Sequence, residues 1–247
     1  MPRFFIRQNQ IEETDGGKTV SIFGDDAHHI SRALRMAAGE KIEVCDMQKN
    51  LYICELTGFF DGFVTAKVLD EGKADTEPPY HLRLYQALAK GEKMDAIIQK
   101  SIECGACEIV PFSSERCVVK LDKKDEQKKI DRWQKIAEGA AKQSGRGIVP
   151  TVKSVLSFKE LLSCMKGTVL FCYEGEDAQS LKQALKNTKI EGEISVIIGS
   201  EGGFSQKEAE ELKEAGAISV GLGKRILRCE TAPIFALSCI AYELELH

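Results

Sequence analysis

Through the first seventy positions apolar and polar residues alternate in short runs, the period-two pattern of half-buried β-strands. Strands are predicted over Arg3 to Ile6, Val20 to Ile22, Lys41 to Cys45, Leu51 to Thr57 and Phe63 to Leu69. They surround a single helix that His28 and His29 open, behind Asp25 and Asp26. Gly16-Gly17, Asn50 and Asp61-Gly62 supply the turns. The two histidines read as surface or capping residues, because nothing around them has the spacing of a site.

The stretch EGKADTEPPY at 71 to 80 has the charge and the double proline of a connection, which predicts a first domain over 1–72 and a second over 73–247. Beyond it apolar strands alternate with amphipathic helices, the pattern of a mostly parallel sheet covered by helices. Strands are expected over Leu82 to Leu88, Cys107 to Pro111, Thr168 to Tyr173, Ile194 to Ile198 and Ile218 to Leu222. Ser157 with Glu160 and Ser205 with Glu208 fit the capping box, and Gly216 suits the end of the second of these helices.

Chemistry concentrates in two segments. In ISVIIGSEGGFSQKEAEEL, 194 to 212, a β-branched strand runs into Gly199, Gly202 and Gly203 and then into a capped helix. Glycines there permit close approach of backbone to a ligand. The loop matches neither the GxGxxG dinucleotide pattern nor the GxxxxGK[ST] phosphate loop, and Glu201 repels phosphate. A cationic ligand, or an uncharged adenosine, fits it better. In VGLGKRILRCETAPIFALSCIAYEL, 220 to 244, Arg225, Arg228 and Glu230 precede an apolar helix with Pro233 in its first turn. Charged residues between an apolar strand and an apolar helix are costly unless paired or functional.

Composition narrows the class. No apolar run reaches the ~18 residues of a membrane span, and MPRFFIRQNQ lacks the apolar core of a secretory signal, so a cytoplasmic protein without a membrane partner is expected. Nine scattered cysteines read as reduced thiols. The closest pair, Cys104 and Cys107, flanks a helix end at Gly105 and not a helix start, and with four histidines in all no metal is expected. The net charge of −4 hides a basic segment, for Arg116 to Arg146 holds ten Lys and Arg against five Asp and Glu. A helix predicted over 125 to 143 aligns Lys128, Arg132, Lys135 and Lys142 in one stripe that Arg146 continues, with Ile130, Trp133, Ala137 and Ala140 opposite. Such a stripe is a solvated face unless an RNA partner is independently indicated.

GSEGGFS at 199 to 205 and LGKRILRCETA at 222 to 232 resemble the two cofactor-loop motifs of the RsmE family, the 16S ribosomal RNA uridine-N3 methyltransferases of the SPOUT superfamily. HHISRALRM at 28 to 36, LAKGEKMDAIIQKSIECG at 88 to 105, SERCVVK at 114 to 120 and AAKQSGR at 140 to 146 extend the likeness over nearly the whole chain. The resemblance implies an α/β fold with a smaller N-terminal PUA-like β-barrel that binds RNA, a C-terminal SPOUT trefoil-knot domain with a parallel sheet, and a homodimer. It implies S-adenosyl-L-methionine as cofactor and 16S rRNA or the small ribosomal subunit as partner. The cofactor is then expected across three loops: Leu170, Tyr173 and Glu174; Ile198, Gly199, Glu201, Gly202 and Gly203; and Leu222, Gly223, Ile226 and Leu227, whose apolar members core filling explains equally well.

The N3 nitrogen of uridine becomes nucleophilic only as its proton leaves, so a base or a stabilising cation is required. Arg228 is the candidate cation, and Glu201 and Glu230 are candidate bases or orienting partners, with simple loop anchoring an equal alternative for each glutamate. Arg3, Arg7, Arg32, Arg35, Lys90 and Arg146 join the stripe as candidate phosphate contacts. The final helix, with Ile234, Phe235, Leu237, Ile240 and Leu244, is expected to seek cover from a second subunit. The competing readings are a knotted methyltransferase acting on transfer RNA or a ribose hydroxyl, and a non-catalytic ribosome-assembly factor.

Overall fold

The computed structural model describes residues 1–175 and 178–246, the side chain of Thr14 excepted. The chain packs as two units, one formed by Met1–Glu77 with Ala141–Val149, the other by Pro78–Ala140 with Pro150–His247.

In the first unit β1 (Arg3–Phe5), β2 (Ile11–Thr14), β3 (Gly17–Phe23), β4 (Lys41–Cys45), β5 (Asn50–Phe60) and β6 (Phe63–Lys73) form one sheet in the order β1-β4-β5-β6-β3-β2. All its pairs are antiparallel except β1 with β4. Register shifts between β5 and β6 at Ile53/Cys54 and Leu56/Gly58 bend the sheet. Phe4 near one edge and Val20 and Ile22 near the other therefore share a single core with Ile42, Val44, Leu56 and Val64, a barrel-like wrapping. The helix α1 (Gly24–His28) adds Ala27, and a π-helical turn over His29–Ala33 adds Ile30. His28 thus closes α1, whose first turn is occupied by Asp25 and Asp26 themselves, and does not open it. β6 runs farther than its apolar pattern, because Glu71, Gly72 and Lys73 pair with Tyr52, Leu51 and Asn50.

The first unit also extends past 72 and takes up 141–149. Arg146, 3% exposed, donates to both oxygens of Glu77 at 2.6–3.0 Å, and the Gly147 amide donates to the same carboxylate at 2.9 Å. Arg3 donates to the Gly145 and Arg146 carbonyls and pairs with Glu43 at 2.6 Å. No reading of consecutive sequence anticipates a partner so far along the chain.

In the second unit β7 (His81–Ala87), α2 (Lys93–Glu103), β8 (Glu108–Ser113), α3 (Lys123–Gln143), β9 (Thr151–Val152), β10 (Leu156–Ser157), α4 (Phe158–Cys164), β11 (Thr168–Cys172), β12 (Gln179–Ser180), α5 (Leu181–Asn187), β13 (Glu193–Ile198), α6 (Gln206–Glu214), β14 (Ile218–Gly221) and α7 (Thr231–Leu244) follow in turn, α3 crossing into the first unit at its last residues. The sheet order is β10-β8-β7-β13-β11-β14-β12, with β9 also on β8, and every pair is parallel. Strands buried on both faces explain the continuous apolar runs in the sequence. The capping boxes at Ser157 and Ser205 form as expected, and Ser180 with Gln183 adds a third. On α3, Trp133, Ala137 and Ala140 are buried, opposite the exposed Lys128, Arg132 and Lys135.

Candidate active site

A cavity of about 620 Å³ opens where β11, β13 and β14 end. The carboxyl ends of parallel strands are where open α/β sheets bind ligands, since the loops that follow are free to diverge. Tyr173 and Glu174 line it from just past β11, Ile198 from the last position of β13, Gly199, Glu201, Gly202 and Gly203 from the loop that follows, and Leu222, Gly223, Ile226 and Leu227 from the loop after β14. Arg228 and Glu230 complete that third wall. Leu170 is the exception: it is fully buried inside β11, between Val196 and Ile218, and does not reach the cavity. Two residues nearer the strand end, Cys172 lines it instead.

The glycine loop is shaped by contacts within the protein. A Cβ on Gly202 would stand 2.9 Å from the Arg116 Cβ, so glycine is required there for the segment after β8 to lie across the loop. Arg116 Nη1 donates to the Gly202 carbonyl at 3.0 Å. Glu208 in the first turn of α6 accepts from the amides of Ser205 and Glu115, at 2.9 and 2.7 Å, and the Ser205 hydroxyl donates to Glu115 at 2.8 Å. One capping box therefore fixes both the helix and the strap over the glycines. Gly203 has φ +65°, a left-handed conformation open to glycine, and around its missing Cβ the space is empty.

Lys93, at the start of α2, organises the charges. Its ammonium lies 2.9 Å from Glu201 Oε1 and 3.8 Å from Glu230 Oε2, and the Lys90 amide donates to the same Glu201 oxygen at 2.9 Å. Partial burial opposes ionisation of Glu201, but the Lys90 amide and the Lys93 ammonium outweigh it and hold the carboxyl below its ordinary value. Glu230 is held low chiefly by its own backbone amide, against some desolvation, with help from the Cys229 thiol, Lys93 and Arg228. Cys229 donates to Glu230 at 3.2 Å, and burial, with that hydrogen bond, pushes its thiol up to about 12. Both glutamates are thus firmly anionic at neutral pH, which makes them anchors for cations and weak bases. Arg228 is exposed and makes no side-chain hydrogen bond or ion pair among the described residues.

A model of the RNA methyltransferase domain matches residues 76–241. The chain belongs to this RNA methyltransferase family. A model of the RNA methyltransferase PUA domain matches 23–69. The chain is 39% identical to the ribosomal RNA small subunit methyltransferase E of Bacillus subtilis, over all of this chain and 98% of that one. It is 34% identical to the enzyme of that name from Neisseria gonorrhoeae, solved bound to S-adenosyl methionine, with a TM-score of 0.86 and 98% of each chain covered. A methyltransferase from Legionella pneumophila, solved with the same cofactor, is 28% identical over 98% of each chain, again with a TM-score of 0.86.

Lys93 and Arg116 are among the cavity residues, with Cys172 and Ser200, that the sequence does not single out. Lys93 and Arg116 lie in the segments KGEKMDAIIQK and SERCVVK that carried the likeness, but nothing in their spacing links Lys93 to Glu201, 108 residues on, or Arg116 to Gly202, 86 residues on. Of the expected phosphate contacts, Arg3 and Arg146 are committed to the internal pairs described above. Lys142 bonds Asp26 at 2.6 Å and lies over the Phe4 ring, and Arg132 pairs with Asp95 while remaining largely exposed. Arg7, Arg32, Arg35, Lys90, Lys128 and Lys135 are exposed. Among the described residues no helix is long and apolar enough to cross a membrane.

Proposed function

We propose that the protein transfers a methyl group from S-adenosylmethionine to N3 of a uridine in 16S ribosomal RNA of the small ribosomal subunit. One observation carries this reading: all but one of the cofactor residues expected across the three loops line a single cavity, in a family with a relative solved bound to that cofactor. The cavity suits the cofactor. Its volume falls within the ~300–1,000 Å³ of small-molecule sites, its walls offer Ile198, Leu222 and Leu227 to an adenine face, and the buried Ser200 hydroxyl on its lining has no hydrogen-bond partner among the described residues.

Bound there, S-adenosylmethionine supplies an electrophilic methyl group on a sulfonium. The uridine N3 proton passes to solvent water at the open cavity as the N3–methyl bond forms, and Arg228 stabilises the imide anion left by its departure. Glu201 and Glu230, held as anions, orient cationic groups at the cavity mouth and do not accept that proton. The glycine loop and its strap hold the two reactants in line, the main service an enzyme gives a displacement reaction. On the first unit, Arg7, Arg32 and Arg35 contact RNA phosphates, and on α3 Lys128, Arg132 and Lys135 do so. The enzyme works as a homodimer in the cytoplasm, where ribosomes assemble. Supporting the dimer, Phe235 and Tyr242 on α7 and Leu246 beyond it are exposed, while Leu237 and Ile240 are buried within the unit.

Incubation with small-subunit ribosomal RNA and labelled cofactor, followed by digestion and mass spectrometry of nucleosides, is expected to yield 3-methyluridine. Methyl transfer only to a ribose or to transfer RNA rejects the reading. Cofactor and RNA binding without transfer to either naked RNA or assembled subunits favours the assembly factor.

A further inference from the structure

We infer that Phe23, Phe60 and Phe63 form a stacking platform for an unpaired RNA base, and that the adjoining pocket of Arg7, Asn9 and Gln10 receives its edge and phosphate. This deepens the RNA-binding part of the proposed function and rests on it.

Phe23 and Phe60 are 54% and 57% exposed, in a unit that has a complete core without them. Phe60 stacks on Phe63 with centroids 4.7 Å apart and planes 12° apart, and Phe63 meets Phe23 at 5.6 Å and 31°. The three rings make one stack with Phe63 in the middle and the exposed rings of Phe23 and Phe60 at its ends, where a further flat ring can be added. Their placement is built into the backbone. Phe23 pairs with Phe63 across β3 and β6, and Phe60 with Phe63 across the β5–β6 turn, where Gly62 has φ +84°. A Cβ on Gly58 would come within 2.7 Å of the Phe60 ring, so that glycine makes room for it.

Phe23 also borders a pocket of about 460 Å³ lined by Phe5, Ile22, Arg7, Asn9, Gln10 and Asp26. Its one acid, Asp26, is neutralised by Lys142 at 2.6 Å. Arg7 is exposed and has no ion pair among the described residues. An exposed aromatic ring at the end of this stack, beside the amides of Asn9 and Gln10 and a guanidinium with no ion pair among the described residues, matches a ligand with a flat face, a polar edge and an anionic group. An unpaired nucleotide has all three, and base stacking on aromatic side chains is the usual way single strands are held. The matched PUA-domain residues, 23–69, contain all three rings.

The full-length protein would be titrated with a labelled single-stranded RNA and with a hairpin of the same composition whose loop is a non-nucleotide linker, so that every base is paired. The double variant Phe23→Leu, Phe60→Leu is expected to weaken single-strand binding roughly 5- to 150-fold, with the salt slope, cofactor affinity and melting temperature unchanged. Phe23→Tyr, which keeps the π-face, is expected to bind like the parent. Arg7→Gln is expected to reduce the salt slope by ~0.7, one phosphate on a single strand. Unchanged affinity in the double variant, or equal losses for single strand and hairpin, overturns the platform. So does a double variant that keeps RNA affinity but loses self-association in sedimentation, which would make the rings a protein contact. If the parent binds no RNA at all, the proposed function fails at its RNA-binding step, and not the platform alone.

Discussion

Removing Lys93 deprives two carboxylates of the ammonium they share, so its effect reaches two of the loops that line the cavity at once. Lys93→Met is expected to weaken cofactor binding and to lower the rate by up to ~100-fold, the scale of a small misplacement of reactants. Calorimetry and single-turnover kinetics measure the two losses, and parent-like values in both would reduce Lys93 to a surface pair. Glu201 and Glu230 titrate below their ordinary value when folded, so their contribution is complete above about pH 4.3 and is lost as pH falls through the lower folded value. Lys93 is displaced the other way, chiefly by its hydrogen bond to Glu201, so its share is lost only as pH rises beyond the ordinary lysine value of about 10.4. Melting temperature is therefore expected to lack any step from this cluster across neutral pH, with an acid-side fall that Glu201→Gln makes shallower; a cluster-dependent step near neutrality would contradict the assignment. For Arg228, replacement by Ala is expected to cost ~10²–10³ in kcat, the loss typical of one anion-stabilising donor. Cofactor affinity should hold, and a parallel fall in it would instead make Arg228 a binding residue.

Between elements, the decisive contact is the strap after β8 lying on the glycine loop after β13. Because the Gly202 hydrogen faces the Arg116 Cβ and not open cavity, Gly202→Ala acts first on protein packing, at the ~1–3 kcal/mol of an overpacked contact. Arg116→Gly removes that obstacle, so cofactor affinity lost in Gly202→Ala is expected to return in part in the double variant. If the alanine does equal harm in both backgrounds, the glycine serves the ligand directly. The elements around this contact were legible because capping boxes and buried apolar strands are local signals; β4 has the predicted bounds to the residue. The short strands β9, β10 and β12 were not, since two residues carry no period. Leu170 was misplaced for the same reason of scale: the motif identified a strand end, but only the pleat decides which of its residues reach the cavity.

At the level of the whole molecule, the trefoil knot is implied by the family likeness alone, since topology rules built on ordinary proteins would have proposed an ordinary doubly wound sheet. The proposed pairing of α7 with a second subunit is open to direct test: Tyr242→Lys is expected to shift sedimentation at micromolar protein toward the monomer while the melting profile stays cooperative, and an unshifted dimer would move the interface off this face. The bond between Glu77 and Arg146 bears on how such a chain is made. Synthesis normally completes an N-terminal domain before the next begins to fold. Here the first unit lacks its buried guanidinium until residue 146 has been added, and an isolated buried carboxylate costs ~3–5 kcal/mol when its partner is missing. When a ribosome has reached residue 140, neither unit is whole, and the domain that starts the chain must wait, partly closed, for a segment delivered by its successor.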